Sequence, residues 1–179
     1  NYTLRQWEKF WSAQWTLLFG QTGFFKPRMI NPFSNFLTHP DQISFYDTSE
    51  LRNTLNEVID FDLLNQCPVR LTLAAVCVEN GALVYFDNTK QVIGPEHIMA
   101  SGALPPGFPA VRIDGKNYWD GGLISNTPIH AVLQERQKRK TSFLCIAVHL
   151  FSYEQRTPIS LGEIMKRKKD MEFSSRYHQ

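Results

Sequence analysis

Residues 69–78, Val-Arg-Leu-Thr-Leu-Ala-Ala-Val-Cys-Val, are apolar on both alternating faces apart from Arg70 and Thr72. Successive side chains of a strand point to opposite sides, so such a run cannot lie in a sheet with one wet face. It asks for a strand covered on both faces. Residues 143–150, Phe-Leu-Cys-Ile-Ala-Val-His-Leu, repeat the pattern and predict a second buried strand of the same sheet. Helical periods and hairpin turns alternate with these runs. The expectation is an α/β layered fold with a mixed sheet and helices on both sides.

Leu4, Trp7, Trp11, Trp15 and Leu18 recur at three- and four-residue steps and predict an amphipathic helix over residues 3–18. The stripe is that of a helix packed on a core, and Trp also suits a half-wet interface. Residues 20–44 have no period and are broken by glycines and prolines, yet they carry Phe24, Phe25, Phe33 and Phe36. Such a stretch either folds back on the body or covers an apolar ligand; we expect these phenylalanines to wall a groove near Asp120. Asp47 and Glu50 predict a capping box, with Leu51, Leu55, Val58 and Ile59 on the buried face and Pro68 ending the segment. Asn80-Gly81 and Asp114-Gly115 predict two hairpins. Pro95 opens a short helix to Ala103. Thr127-Pro128 opens another to about Glu135, and residues 161–172 a last one.

At 179 residues the chain suits one domain. A net charge of +2, from 19 Lys+Arg against 17 Asp+Glu, gives no field that asks for nucleic acid. Cys67, Cys77 and Cys145 form no metal-site or C-x-x-C spacing, so buried free thiols in a reducing compartment are expected. No apolar run approaches the roughly 18 residues of a spanning helix, and residues 1–7 do not read as a signal peptide. The chain opens on Asn1 rather than Met, and we expect an upstream part outside it.

The candidate for chemistry is Tyr118-Trp119-Asp120-Gly121-Gly122. It sets a carboxylate at a strand end, where site residues of α/β sheets gather, and the glycines leave room for a sharp turn and a substrate. An ordinary Asp-Gly turn reads the same locally. Ser101, on the small-residue segment His97–Gly102, has no base at local spacing, so packing or capping is its expected role, and His97 reads as a structural histidine. The chain contains no G-x-S-x-G elbow, phosphate-binding glycine loop or H-E-x-x-H. Its histidines do not pair with carboxylates at metal-site spacing, and no metal is expected.

Taken in order, Ala100-Ser101, Phe108-Pro109, the 111–119 hairpin, Asp120-Gly121-Gly122 and Asn126-Thr127-Pro128 resemble the second half of the patatin-like phospholipase domain. Residues 43–51, 84–88, 94–97 and 169–176 are similar to a bacterial subgroup with an extra C-terminal region. The resemblance implies a three-layer α/β/α sandwich with a mixed, mostly parallel sheet, incomplete at its N-terminal side. Residues 1–150 would be the C-terminal part of the acyl-hydrolase domain and 151–179 a helical extension. It implies a Ser–Asp dyad with Asp120 as general base, Gly121, Gly122 and Asn126 in support, and a serine just before Asn1. It further implies a lipid or other ester substrate, no cofactor, and a cytoplasmic or membrane-peripheral location. A patatin-like body without activity, binding lipid or serving as a scaffold, is the alternative.

Overall fold

A computed structural model of the chain describes residues 2–29, 39–66, 68–129, 132–133, 144–148, 150–151 and 156–174. In chain order the elements are α1 (Tyr2–Phe19), β1 (Lys26–Pro27), β2 (Tyr46–Asp47), α2 (Ser49–Val58), α3 (Phe61–Asn65), β3 (Thr72–Cys77), β4 (Leu83–Asp87), α4 (Pro95–Ser101), β5 (Val111–Ile113), β6 (Lys116–Asp120), a 3-10 turn (Gly121–Leu123) and α5 (Leu161–Phe173). They divide into two compact units, Asn1–Asp120 and Gly121–Gln179.

In the first unit residues 72–77 of the doubly apolar run form β3, an inner strand of a four-stranded sheet ordered β4-β3-β6-β5, while Val69 lies before the strand and is exposed. Ala75, Val76 and Cys77 are buried, as a strand covered on both faces requires. Both predicted hairpins form. Asn80-Gly81 lies in the turn joining β3 to β4, and Asp114-Gly115 turns β5 into β6 with φ of 48° and 81°, the left-handed pair of a two-residue hairpin. Every ladder of the sheet is antiparallel. The α/β class therefore holds, while the mostly parallel sheet is not what the described strands make. Short turns join β3 to β4 and β5 to β6 and permit only antiparallel neighbours, while β3 and β6 pair antiparallel across the intervening β4, α4 and β5.

The core gathers Ala75, Cys77, Phe86, Ile93, Ala100, Ile113 and Tyr118, with Leu64, Leu71, Leu73, Val84 and Val111 around it. Buried polar groups beside it are satisfied. The Asn65 amide reads the backbone of Ile93 in both directions, at 2.9 and 2.8 Å. Asn88 donates to the Leu64 and Val69 carbonyls and accepts from the Leu71 N–H. Asp87, 2% exposed, accepts from Arg70 and from the backbone and hydroxyl of Thr89. The Arg70 guanidinium holds its carboxyl well below the usual carboxylate range.

Several local expectations change. The helix over residues 3–18 forms, but its stripe is not covered: Trp7, Trp11 and Trp15 are 61–66% exposed. The capping box of α2 does not close. Asp47 accepts from the Ser49 N–H, and Glu50 turns away to the Gly23 N–H and Lys26. Val58 is exposed, and the segment breaks at Ile59 and restarts as α3, because Asp60 caps the Leu63 N–H at 2.8 Å.

In the second unit α5 matches the predicted last helix. Ser160 caps Glu163, whose carboxylate returns to the Ile159 N–H and to Arg156. Residues 129, 132 and 133 are helical, and the rest of the helix expected there lies outside the described residues. The second buried strand is overturned. Residues 144–148 join no ladder among the described residues, and Leu144, Ile146, Val148 and Leu150 are 71–84% exposed. An apolar run becomes a buried strand only where ladder partners and two covering layers meet it, and the run itself specifies neither. Cys145 is likewise exposed, Cys77 is buried as expected, and Cys67 lies outside the described residues.

Candidate active site

Asp120 is the last residue of β6 and is half-buried. Two constraints fix its backbone. Its register partner across the ladder is Ala75, at the centre of the core. Its N–H donates to the carbonyl of Ala103, just beyond the end of α4, at 3.0 Å. The alternation of β6 puts Tyr118 on the same face as Asp120 and Trp119 on the other. Tyr118 is buried edge-on against Phe86, with ring centroids 5.2 Å apart, and burial pushes its phenol up.

The chain then leaves the strand. Gly121 is buried, and its carbonyl accepts from the Ile124 and Ser125 N–H groups at 3.1 and 2.9 Å. This pair of bonds turns the chain immediately after the carboxylate, the sharp turn that Gly-Gly allows. Gly122 is half-buried in the same 3-10 turn. Asn126, further along the second unit, is exposed and donates from its amide to the carbonyl of Phe173 at the end of α5.

Ser101 ends α4. His97, on the third position of that helix, is 6% exposed. Its Nδ1 accepts from the Gly94 N–H at 2.9 Å, and its Nε2 lies 3.2 Å from the Gln91 amide. The structural reading of His97 thus holds.

Phe24 and Phe25 fold back and meet Phe108 at centroid distances of 5.5 Å each, with Tyr46 against Phe25 at 4.8 Å. Phe33 and Phe36 lie outside the described residues. Sequence reasoning missed the other half of this cluster. Backbone bonds from Phe45 to Pro106 and from Tyr46 to Gly107 hold β2 against the 104–109 loop, bringing Tyr46 and Phe108 to the phenylalanines. No local period announces that pairing.

At the hairpin end of the sheet, Glu79 accepts from the Asn117 backbone and amide, both at 2.9 Å, and from the Cys77 thiol. These bonds, the Asn117 N–H foremost, lower its carboxyl to about 2. Among the described residues no group of three or more His, Cys, Asp or Glu side chains is placed to hold a metal ion.

A carboxylate fixed at a strand end and followed by a glycine turn is an arrangement in which a base can be presented to a substrate. Residues 3–133 match the family model of the patatin-like phospholipases. The chain belongs to this family. No curated protein matches it significantly. The matched span runs from Thr3 in α1 through β6 and the whole Asp-Gly-Gly turn, and so includes the ordered motifs. Patatin-like phospholipases are lipid hydrolases with an α/β fold. Among the described residues no helix is long and apolar enough to cross a membrane.

Proposed function

We propose that this patatin-like protein is a lipid acyl hydrolase using a Ser–Asp dyad, with Asp120 as general base and the serine supplied by residues outside the 179. The observation that carries the reading is the position of Asp120, backbone-fixed at the end of β6 inside the family match and followed by a glycine turn. The serine Oγ attacks the ester carbonyl carbon while Asp120 takes its proton. Collapse of the tetrahedral intermediate breaks the ester C–O bond, and Asp120 returns the proton to the departing alcohol. Water, deprotonated by Asp120, then attacks the acyl-serine. The fatty acid leaves and the serine regains its proton. Backbone N–H groups of a glycine-rich loop, also outside these residues, hold the oxyanion at about 3–4 kcal/mol per donor. Gly121 and Gly122 keep the approach open, and Asn126 anchors the segment after the turn. In this reading residues 1–150 complete the hydrolase domain, residues 151–179 are its helical extension, and the protein acts on lipid in the cytoplasm or at the membrane periphery.

The test is release of fatty acid from a phospholipid, or of p-nitrophenol from a medium-chain ester, by the full-length gene product. Asp120→Asn keeps the shape but is a poor proton acceptor, and the rate should fall by about 10²–10⁴-fold. Equal rates for the two proteins would falsify the role of Asp120. A full-length product lacking G-x-S-x-G and ester hydrolysis would instead be the inactive lipid-binding form of the same body.

A further inference from the structure

We propose that His97 is a positioning residue for Asp120, acting through helix α4 and not by contact with substrate. The inference rests on the reading of Asp120 as the base. His97 sits where a capping-box glutamate would sit, three residues into the N-terminal turn from Gly94. Its Nδ1 accepts from the Gly94 N–H at 2.9 Å, so that nitrogen carries no proton and the ring hydrogen is on Nε2. Nε2 lies 3.2 Å from the Gln91 side-chain amide nitrogen, so the ring is held at both nitrogens. The Glu96 carboxylate, 3.4 Å from the same Nδ1, has no proton to receive there and pairs with Arg52 at 3.2 Å.

Two routes lead from this ring to Asp120. One runs along the helix. α4 packs against β3, β5 and β6, and just past its end the Ala103 carbonyl holds the Asp120 N–H at 3.0 Å. His97 and Ser101, the last residue of α4, are four residues apart, about 6 Å at helical rise, and Gly102 and Ala103 follow directly, so a shift of the N-terminal turn is carried along the helix toward that carbonyl. The other runs through rings. His97 meets Phe86 edge-on at 4.8 Å and 74°, and Phe86 meets Tyr118 at 5.2 Å and 74°. Tyr118 lies two residues before Asp120 on the same face of β6. Both routes end on the one residue whose placement sets the proton-transfer distance. Catalytic geometry tolerates about 0.5 Å, and a displacement of about 1 Å costs about 10²-fold.

The experiment separates the two routes and uses the full-length gene product. His97→Phe keeps the ring against Phe86 and removes the acceptor; His97→Gln keeps an acceptor for the Gly94 N–H and removes the ring. Both are expected to lower kcat on a medium-chain p-nitrophenyl ester by about 10–10²-fold with KM within about twofold of wild type. In an Asp120→Asn background the same substitutions should lower kcat by less than about twofold, because the group they position is already disabled. Hydrogen exchange at the Asp120 amide should quicken in both variants. Kinetic losses that multiply with Asp120→Asn, or Asp120 exchange and kcat both unchanged in folded variants, overturn the inference. If Asp120→Asn itself keeps the wild-type rate while exchange at its amide quickens in the His97 variants, the base assignment fails and the positioning stands.

Discussion

Asp87 shows how one residue can hold a sheet edge. It is nearly sealed from solvent at the end of β4, and it accepts from Arg70 and twice from Thr89. A carboxylate without those donors would pay the desolvation of a buried charge. With them its proton affinity falls, Arg70 being the largest influence. The sign of the pH dependence follows. In the unfolded chain Asp87 takes up its proton near the ordinary value of about 3.9, while in the folded protein it stays ionised to lower pH. Below about pH 4 the unfolded state therefore binds more protons, and this contribution to stability, full above that pH, is lost as pH falls. We expect urea unfolding of the wild type to weaken between about pH 5 and pH 2 more steeply than that of Asp87→Asn. The substitution itself should cost about 2 kcal/mol at neutral pH, because it weakens the charge-assisted hydrogen bonds to Arg70, which stays open to water. Parallel slopes for the two proteins would remove Asp87 from the account.

Elements whose signal is local were legible in the sequence, and those whose signal is a distant partner were not. Both hairpins announce themselves through Asn-Gly and Asp-Gly, since only a few residue types adopt the backbone those turns need. Pro95 at the first position of α4 is equally local. The carboxylate at the end of β6 was legible for the same reason, since a turn motif fixes where the strand must stop. The exposed run 144–148 and the aromatic cluster around Phe108 depend on what packs against them, which no period records. The end of α1 is a local signal of high cost. Gly20 has φ of 81°, and its N–H donates to the Thr16 carbonyl, a left-handed helix cap. A Cβ there would stand 2.3 Å from the Phe25 carbonyl oxygen, which accepts from the Gln21 N–H at 2.7 Å while the Phe25 N–H donates back to the Gln21 carbonyl. Gly20→Ala should therefore destabilise by more than the about 1–2 kcal/mol of left-handed strain alone. Thermal unfolding checks this, and a melting temperature equal to wild type would show that the 21–25 turn yields freely.

At the scale of the molecule, the chain carries the proposed base of the dyad, Asp120, and a good deal of apolar surface. Trp7, Trp11 and Trp15 form an exposed stripe on α1, and Leu144, Ile146, Val148 and Leu150 are exposed in the second unit. No nucleophile elbow occurs anywhere in the sequence. A base without its serine has no acyl group to transfer, and Asp120 alone can at most activate water weakly. We therefore expect the purified 179-residue chain to release no p-nitrophenol from a medium-chain ester above the buffer rate, while the full-length gene product does. Ser101 gives the sharpest control. It ends α4, next to the Gly102 that follows the helix, and is the serine of Ala100-Ser101. Ser101→Ala in the full-length product should leave kcat within about threefold, the change of a packing contact and not of a nucleophile, whose loss removes several powers of ten. If instead the isolated chain hydrolyses the ester and loses that activity in Ser101→Ala, the nucleophile lies on α4 and the dyad must be redrawn around Ser101 and Asp120.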